Sequence, residues 1–101
     1  MQDALAKGAR LECGGGKPGG AEYERGFFYA PTILSNCDMT MRVMNEETFG
    51  PVLGIQTIDD DLDATIELAN NTPYGFSAYF YSDDRIRCYR AAQRLSGVSL
   101  D

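Results

Sequence analysis

Along the chain the apolar positions recur in two rhythms, alternating or unbroken short runs that mark strands and a spacing near 3.6 that marks helices. Met1 to Lys7 reads as the tail of a helix, with Gly8 as its C-terminal stop. Ala9 to Cys13 alternates as a short strand, and the run GGGKPGG, Gly14 to Gly20, is a loop by composition. GFFYAPTIL, Gly26 to Leu34, mixes aromatic and β-branched residues as a strand does, with Pro31 suited to an edge or a bulge. Asn36 to Asn45 is polar with interspersed Met and is expected to be a loop with at most one helical turn.

Val52 to Ile58 is nearly apolar throughout, the pattern of a strand covered on both faces. After Asp59 to Asp61, Leu62, Ile66 and Ala69 fall on one face of an amphipathic helix running to about Asn70. The acidic cluster sits where a helix start favours negative charge. NNTPYG, Asn70 to Gly75, ends that helix, and Phe76 to Tyr81 reads as the next strand. Ser82 to Asp84 caps another helix, with Cys88, Ala91, Ala92 and Leu95 inward and Arg85, Arg87, Arg90 and Arg94 outward. Gly97 closes it, and Val98 to Leu100 begins a last strand.

Strand, helix, strand, helix, strand is the order of parallel βαβ units. The expected fold class is therefore α/β, a partial and mostly parallel sheet of about five strands with two crossover helices. Two helices cannot cover such a sheet on both faces, so open edges are expected.

A length of 101 residues allows one domain at most, and 44% hydrophobic residues with six Tyr and five Phe favour a packed core over disorder. The net charge of −6 argues against nucleic acid and anionic membranes as partners. No apolar run approaches the roughly 18 residues of a membrane helix, and Met1 to Arg10 has no signal-like stretch, so a soluble, cytoplasmic protein is expected.

Cys13, Cys37 and Cys88 are too scattered for a disulfide framework or a zinc site and are expected to be reduced structural thiols; Cys37 is placed in a loop. With no histidine, a Ser-His or Cys-His pair needs residues from elsewhere. GGGKPGG lacks the spacing of a phosphate loop and is expected to be a plain flexible connection. Asp59 to Asp63 lacks the alternating ligands of a calcium loop, and no metal site is expected.

NEETFGPVLGI, Asn45 to Ile55, remains. Glu46 and Glu47 with Phe49 read either as two surface acids and a core anchor or as a ligand site. In the second reading, one carboxylate accepts hydrogen bonds from both hydroxyls of a ribose diol and the ring packs against the attached heterocycle.

EETFGPV, Glu46 to Val52, resembles the Glu-Glu-Ile-Phe-Gly-Pro-Val segment of the NAD(P)-dependent aldehyde dehydrogenase superfamily. GFFYAPTIL, ANNTPYGFSAYFYSDD and LSGVSLD resemble further segments of that family, in the same order and over nearly the whole chain. The resemblance implies that residues 1–101 are part of an aldehyde dehydrogenase catalytic domain, truncated at both ends and without a complete Rossmann domain. It matches Glu47 to the glutamate that holds the nicotinamide ribose, Phe49 to the aromatic beside the nicotinamide, and Gly50 and Pro51 to the turn before the next strand. Glu46 matches a position without a direct chemical role.

The chain also departs from the family's pattern. None of its cysteines matches the nucleophile, Phe76 stands for the usual Leu, and Asp101 stands for the usual Asn. The resemblance thus implies oxidation of an aldehyde to a carboxylic acid with NAD or NADP, an aldehyde substrate, and a homo-oligomer for the intact family member. It leaves no catalytic residue within the 101, so neither turnover nor tight cofactor binding by the isolated chain is expected. The competing expectations are a non-catalytic module that pairs through open sheet edges and, more remotely, a stand-alone nucleotide binder using Glu47.

Overall fold

A computed structural model of the protein describes residues 1–75 and 77–95. The chain divides into two compact units, Met1–Thr57 and a second that begins at Ile58. No helix among the described residues is long and apolar enough to cross a membrane.

The first unit opens with helix α1, Gln2–Ala6. Gly8 ends it as expected: at φ +100 it lets its own N–H reach the Leu5 carbonyl at 3.2 Å and the Ala9 N–H reach Ala4 at 2.9 Å. These two bonds satisfy carbonyls that a helix end leaves open, and only a residue at ease with positive φ closes them cheaply. Strand β1, Arg10–Cys13, pairs antiparallel with β2, Thr32–Ser35, and bulges between Leu11 and Cys13. β2 in turn pairs parallel with β3, Val52–Gly54. β2 is central, and its alternate residues Thr32 and Leu34 are buried.

The expected sheet of about five mostly parallel strands is not what the described residues form. They form three strands, ordered β1-β2-β3, with one antiparallel and one parallel pair. The parallel pair is bridged over 36–51, where the four-residue helix α2, Arg42–Asn45, supplies the expected helical turn. The strand anticipated from Gly26 begins only at Thr32, because Phe27 and Phe28 face solvent and Pro31 has no N–H to donate. The strand from Val52 stops at Gly54 and has one covered face: Leu53 is 58% exposed, while Val52 and Gly54 are partly covered. A continuous apolar run here marks a strand with a free outer face, not a doubly buried one.

Ala4, Leu34, Cys37 and Met41 form the buried core, with Met1, Ala9, Val43, Met44 and Val52 packed around them. Cys37 lies in the loop after β2, as expected, and its side chain, 5% exposed, belongs to this core. Gly54 permits the packing of α2 on β3, since a Cβ there would lie 2.6 Å from the Met44 sulfur. The glycine-rich loop is tied down rather than flexible: the Gly15 N–H donates to Thr32 Oγ1 at 2.8 Å and Lys17 Nζ donates to the Glu24 carbonyl at 2.7 Å.

The second unit holds α3, Leu62–Asn70, and α4, Arg85–Arg94. Asp61 caps α3 by accepting from the Ala64 N–H at 3.1 Å, and Asp84 caps α4 by accepting from Ile86 and Arg87. Ile66 and Ala91 are buried, whereas Ala92, expected inward, is exposed and Arg87, expected outward, is half-buried against Asp60 at 2.7 Å. Ser77–Tyr81 carries no strand pairing, and Tyr79 and Tyr81 are exposed. The expected strand start at Phe76, the stop at Gly97, the strand over Val98 to Leu100 and Asp101 lie outside the described residues.

Candidate functional site

The site is built where α1 meets α2. Asp3, in the first turn of α1, accepts the Arg42 backbone N–H on Oδ2 at 2.8 Å, satisfying a donor that the start of α2 leaves free. Its other oxygen pairs with Lys7 Nζ at 3.0 Å, and Lys7 also donates to the Thr40 carbonyl at 2.7 Å. The Arg42 N–H, and after it the Lys7 side chain, hold the Asp3 carboxyl below its ordinary pKa. Asp38 accepts from the Thr40 hydroxyl and N–H, which lower its pKa in the same way. Buried Met41, at the N-cap of α2, anchors this turn in the core.

From that anchored start Arg42 reaches forward. Its Nε lies 3.1 Å from both oxygens of Glu46 and its Nη2 lies 3.0 Å from Oε2. This (i, i+4) pair neutralises Glu46 and raises the Arg42 pKa further. Glu47, the next residue, has no hydrogen-bond or ion-pair partner among the described residues. Two acids that look equivalent in the sequence therefore differ: one carboxylate is taken up by Arg42, and the other remains an open acceptor.

Glu46 and Glu47 line a groove of about 400 Å³, shared with Asp3, Arg42, Thr48 and Val52. Phe49 does not line it; its ring is 93% exposed. The structure thus brings Glu47 to a concave surface and leaves Phe49 outside it. Gly50 and Pro51 lead into β3, and the Pro51 carbonyl accepts the Thr32 N–H at 2.7 Å, so the segment's end is pinned to the sheet.

Arg42 and Asp3 were not among the candidate residues. The four-residue spacing from Arg42 to Glu46 was a readable signal, whereas a contact between Asp3 and Arg42, 39 positions apart, has none. A hollow of about 570 Å³ beside α3 and α4 offers less, because Arg94, its cation, is paired with Asp63. No group of three His, Cys, Asp or Glu among the described residues is arranged to hold a metal. Cys13 is exposed at the end of β1, Cys37 is buried, and the Cys88 thiol donates to the Ser82 carbonyl at 3.5 Å.

Residues 1–99 match the model of the aldehyde dehydrogenase family. The chain is 47% identical over 95 residues to betaine aldehyde dehydrogenase of Bacillus subtilis, covering 94% of this chain and 19% of that protein. It is 40% identical over 95 residues to a probable NADP(+)-linked succinate-semialdehyde dehydrogenase of Sinorhizobium fredii, covering 94% of this chain and 18% of the relative. In three dimensions it is similar to the crystal structure of Staphylococcus aureus betaine aldehyde dehydrogenase in complex with NAD+, with a TM-score of 0.87 and 35% identity, covering 97% of this chain and 19% of that one. The chain spans about a fifth of the length of these relatives.

Proposed function

The chain belongs to the aldehyde dehydrogenase family, and on that premise we propose that its 101 residues are part of a catalytic domain that oxidises an aldehyde to a carboxylic acid with NAD or NADP. Their contribution is the wall beside the nicotinamide ribose. Glu47 accepts hydrogen bonds from the ribose diol, and Phe49 lies against the nicotinamide ring. When bound, the dinucleotide supplies the hydride acceptor; the protein's part here is to orient it.

The observation that carries this reading is the division of labour between the paired acids. Glu46 is occupied by Arg42, and Glu47, without a partner among the described residues, lines the same groove. A diol donor therefore displaces no ion pair when it binds. The exposed Phe49 ring offers an apolar face for a planar partner.

The reacting cysteine lies on polypeptide other than these 101 residues, and the isolated chain does not turn over aldehyde. In the intact protein, the described strands belong to a fuller, mostly parallel sheet of about five strands, a reading that the open edge of β3 supports. That protein is cytoplasmic, acts on an aldehyde and assembles as a homo-oligomer; the net charge of −6 supports neither nucleic acid nor membrane as a partner.

The test has two arms. In the complete enzyme, Glu47→Gln should raise the KM for NAD(P) by about tenfold or more, the scale of one charge-assisted hydrogen bond; an unchanged KM refutes the ribose contact. Cysteine-dependent NADH production by the 101 residues alone would refute the placement of the nucleophile. The exposed Leu53 on β3, a strand at the end of the order β1-β2-β3, also fits a second reading, a non-catalytic module that pairs through that edge. A stable, monodisperse oligomer of the isolated chain would favour it, whereas aggregation favours the enzyme reading.

A further inference from the structure

The ribose contact requires an open carboxylate, yet two adjacent acids and one arginine line the same groove. Arg42 stands four residues before Glu46 and holds both its oxygens at 3.1 Å or less. The turn closes as the Glu46 N–H donates to the Arg42 carbonyl at 2.9 Å, and Glu46 itself is extended, at φ −116 and ψ 147. Successive side chains of extended backbone diverge, so one guanidinium bonds one of the two acids at a time, and it bonds Glu46. Arg42 is itself fixed at its backbone by Asp3, which Lys7 holds in turn.

We propose that Arg42, anchored by Asp3, is a positioning residue for Glu47: by occupying both oxygens of Glu46 it keeps the Glu47 carboxylate free for the ribose and fixes the peptide from which it projects. The inference rests on the reading of Glu47 given above. Glu46 then has a task despite touching no ligand. It is the decoy that keeps the cation off its neighbour.

The decoy makes a prediction that a purely structural ion pair does not. With Glu46→Gln, Arg42 is released to pair with Glu47, and the KM for NAD(P) of the complete enzyme should rise several-fold while kcat at saturating cofactor holds. With Arg42→Ala, Glu47 stays free but less well placed, and the rise should stay within about fivefold, the ceiling an exposed ion pair sets. Adding Arg42→Ala to Glu46→Gln should therefore lower the KM again.

The complete enzyme also supplies a readout that needs no cofactor. The Arg42 Nε–H resonance in an NMR spectrum should shift in Glu46→Gln, as the bond passes to Glu47, and keep its parent position in Glu47→Gln. The opposite pattern overturns the proposal, as does a double variant with a KM no lower than that of Glu46→Gln. If Glu47→Gln leaves the cofactor KM unchanged while the resonance behaves as expected, the ribose reading has failed and the positioning role falls with it. If Glu47→Gln raises KM and Glu46→Gln does not, the ribose reading stands and the positioning role alone is wrong.

Discussion

The unit Met1–Thr57 and the helices of the second unit are held by different forces. In the first, a buried cluster of Ala4, Leu34, Cys37 and Met41 lies under a sheet whose central strand has partners on both sides. In the second, Ile66 and Ala91 are the buried hydrophobic side chains among the described residues, and the helices are tied by caps and surface pairs such as Arg87 to Asp60. Apolar burial and a satisfied ladder contribute far more than exposed ion pairs. The first unit is therefore the more strongly held of the two, and it is the unit that carries the candidate site.

The largest test of that contrast is Leu34→Ala. It should cost about 2–5 kcal/mol and abolish hydrogen-exchange protection along β2; an exchange pattern like the parent's would show that the first unit does not depend on its core. Gly54→Ala comes next, because the new methyl meets the Met44 sulfur. A loss of about 1–3 kcal/mol in urea unfolding is expected, and a neutral result would mean that α2 moves freely on β3.

In the second unit, Asp84→Ala removes a carboxylate that accepts two N–H groups at the start of α4. About 1 kcal/mol of helix stability should go with it, read as faster amide exchange at Ile86 and Arg87. If that loss exceeded the loss from Leu34→Ala, the ranking of the two units would be reversed.

Acid supplies the gentlest probe. The Arg42 N–H and Lys7 hold Asp3 below its ordinary value, so its contribution is complete above the unfolded pKa of about 3.9 and is lost as pH falls through the lower folded value. The Arg42 amide resonance should follow that titration in the acid range and stay constant between pH 5 and 8. Movement of this resonance near neutrality would mean that a different group holds it.

Much of this was legible in the sequence because it is local. Gly8 as a stop, Asp61 and Asp84 as caps and the period of α3 all depend on residues within one turn of each other. The sheet was not legible in the same way. Val52 to Ile58 has the composition of a doubly covered strand, but whether Leu53 meets protein or water depends on segments far along the chain. Cys37 shows the same limit: beside Asp38 it reads as a loop residue, and it is the fold of α2 over β3 that encloses it. At the site, the motif singled out Glu47 over Glu46 by resemblance, and the physical distinction between them appeared only with the Arg42 side chain in place.

The bond from Asp3 to the Arg42 amide joins the first turn of α1 to the wall of the groove. Anyone dividing this protein for split-reporter work or permuting its termini should therefore keep Met1 to Gly8 with the rest of the first unit. A cut placed just after Gly8 would look harmless on a map of secondary structure, yet it would release the carboxylate on which the start of α2 depends.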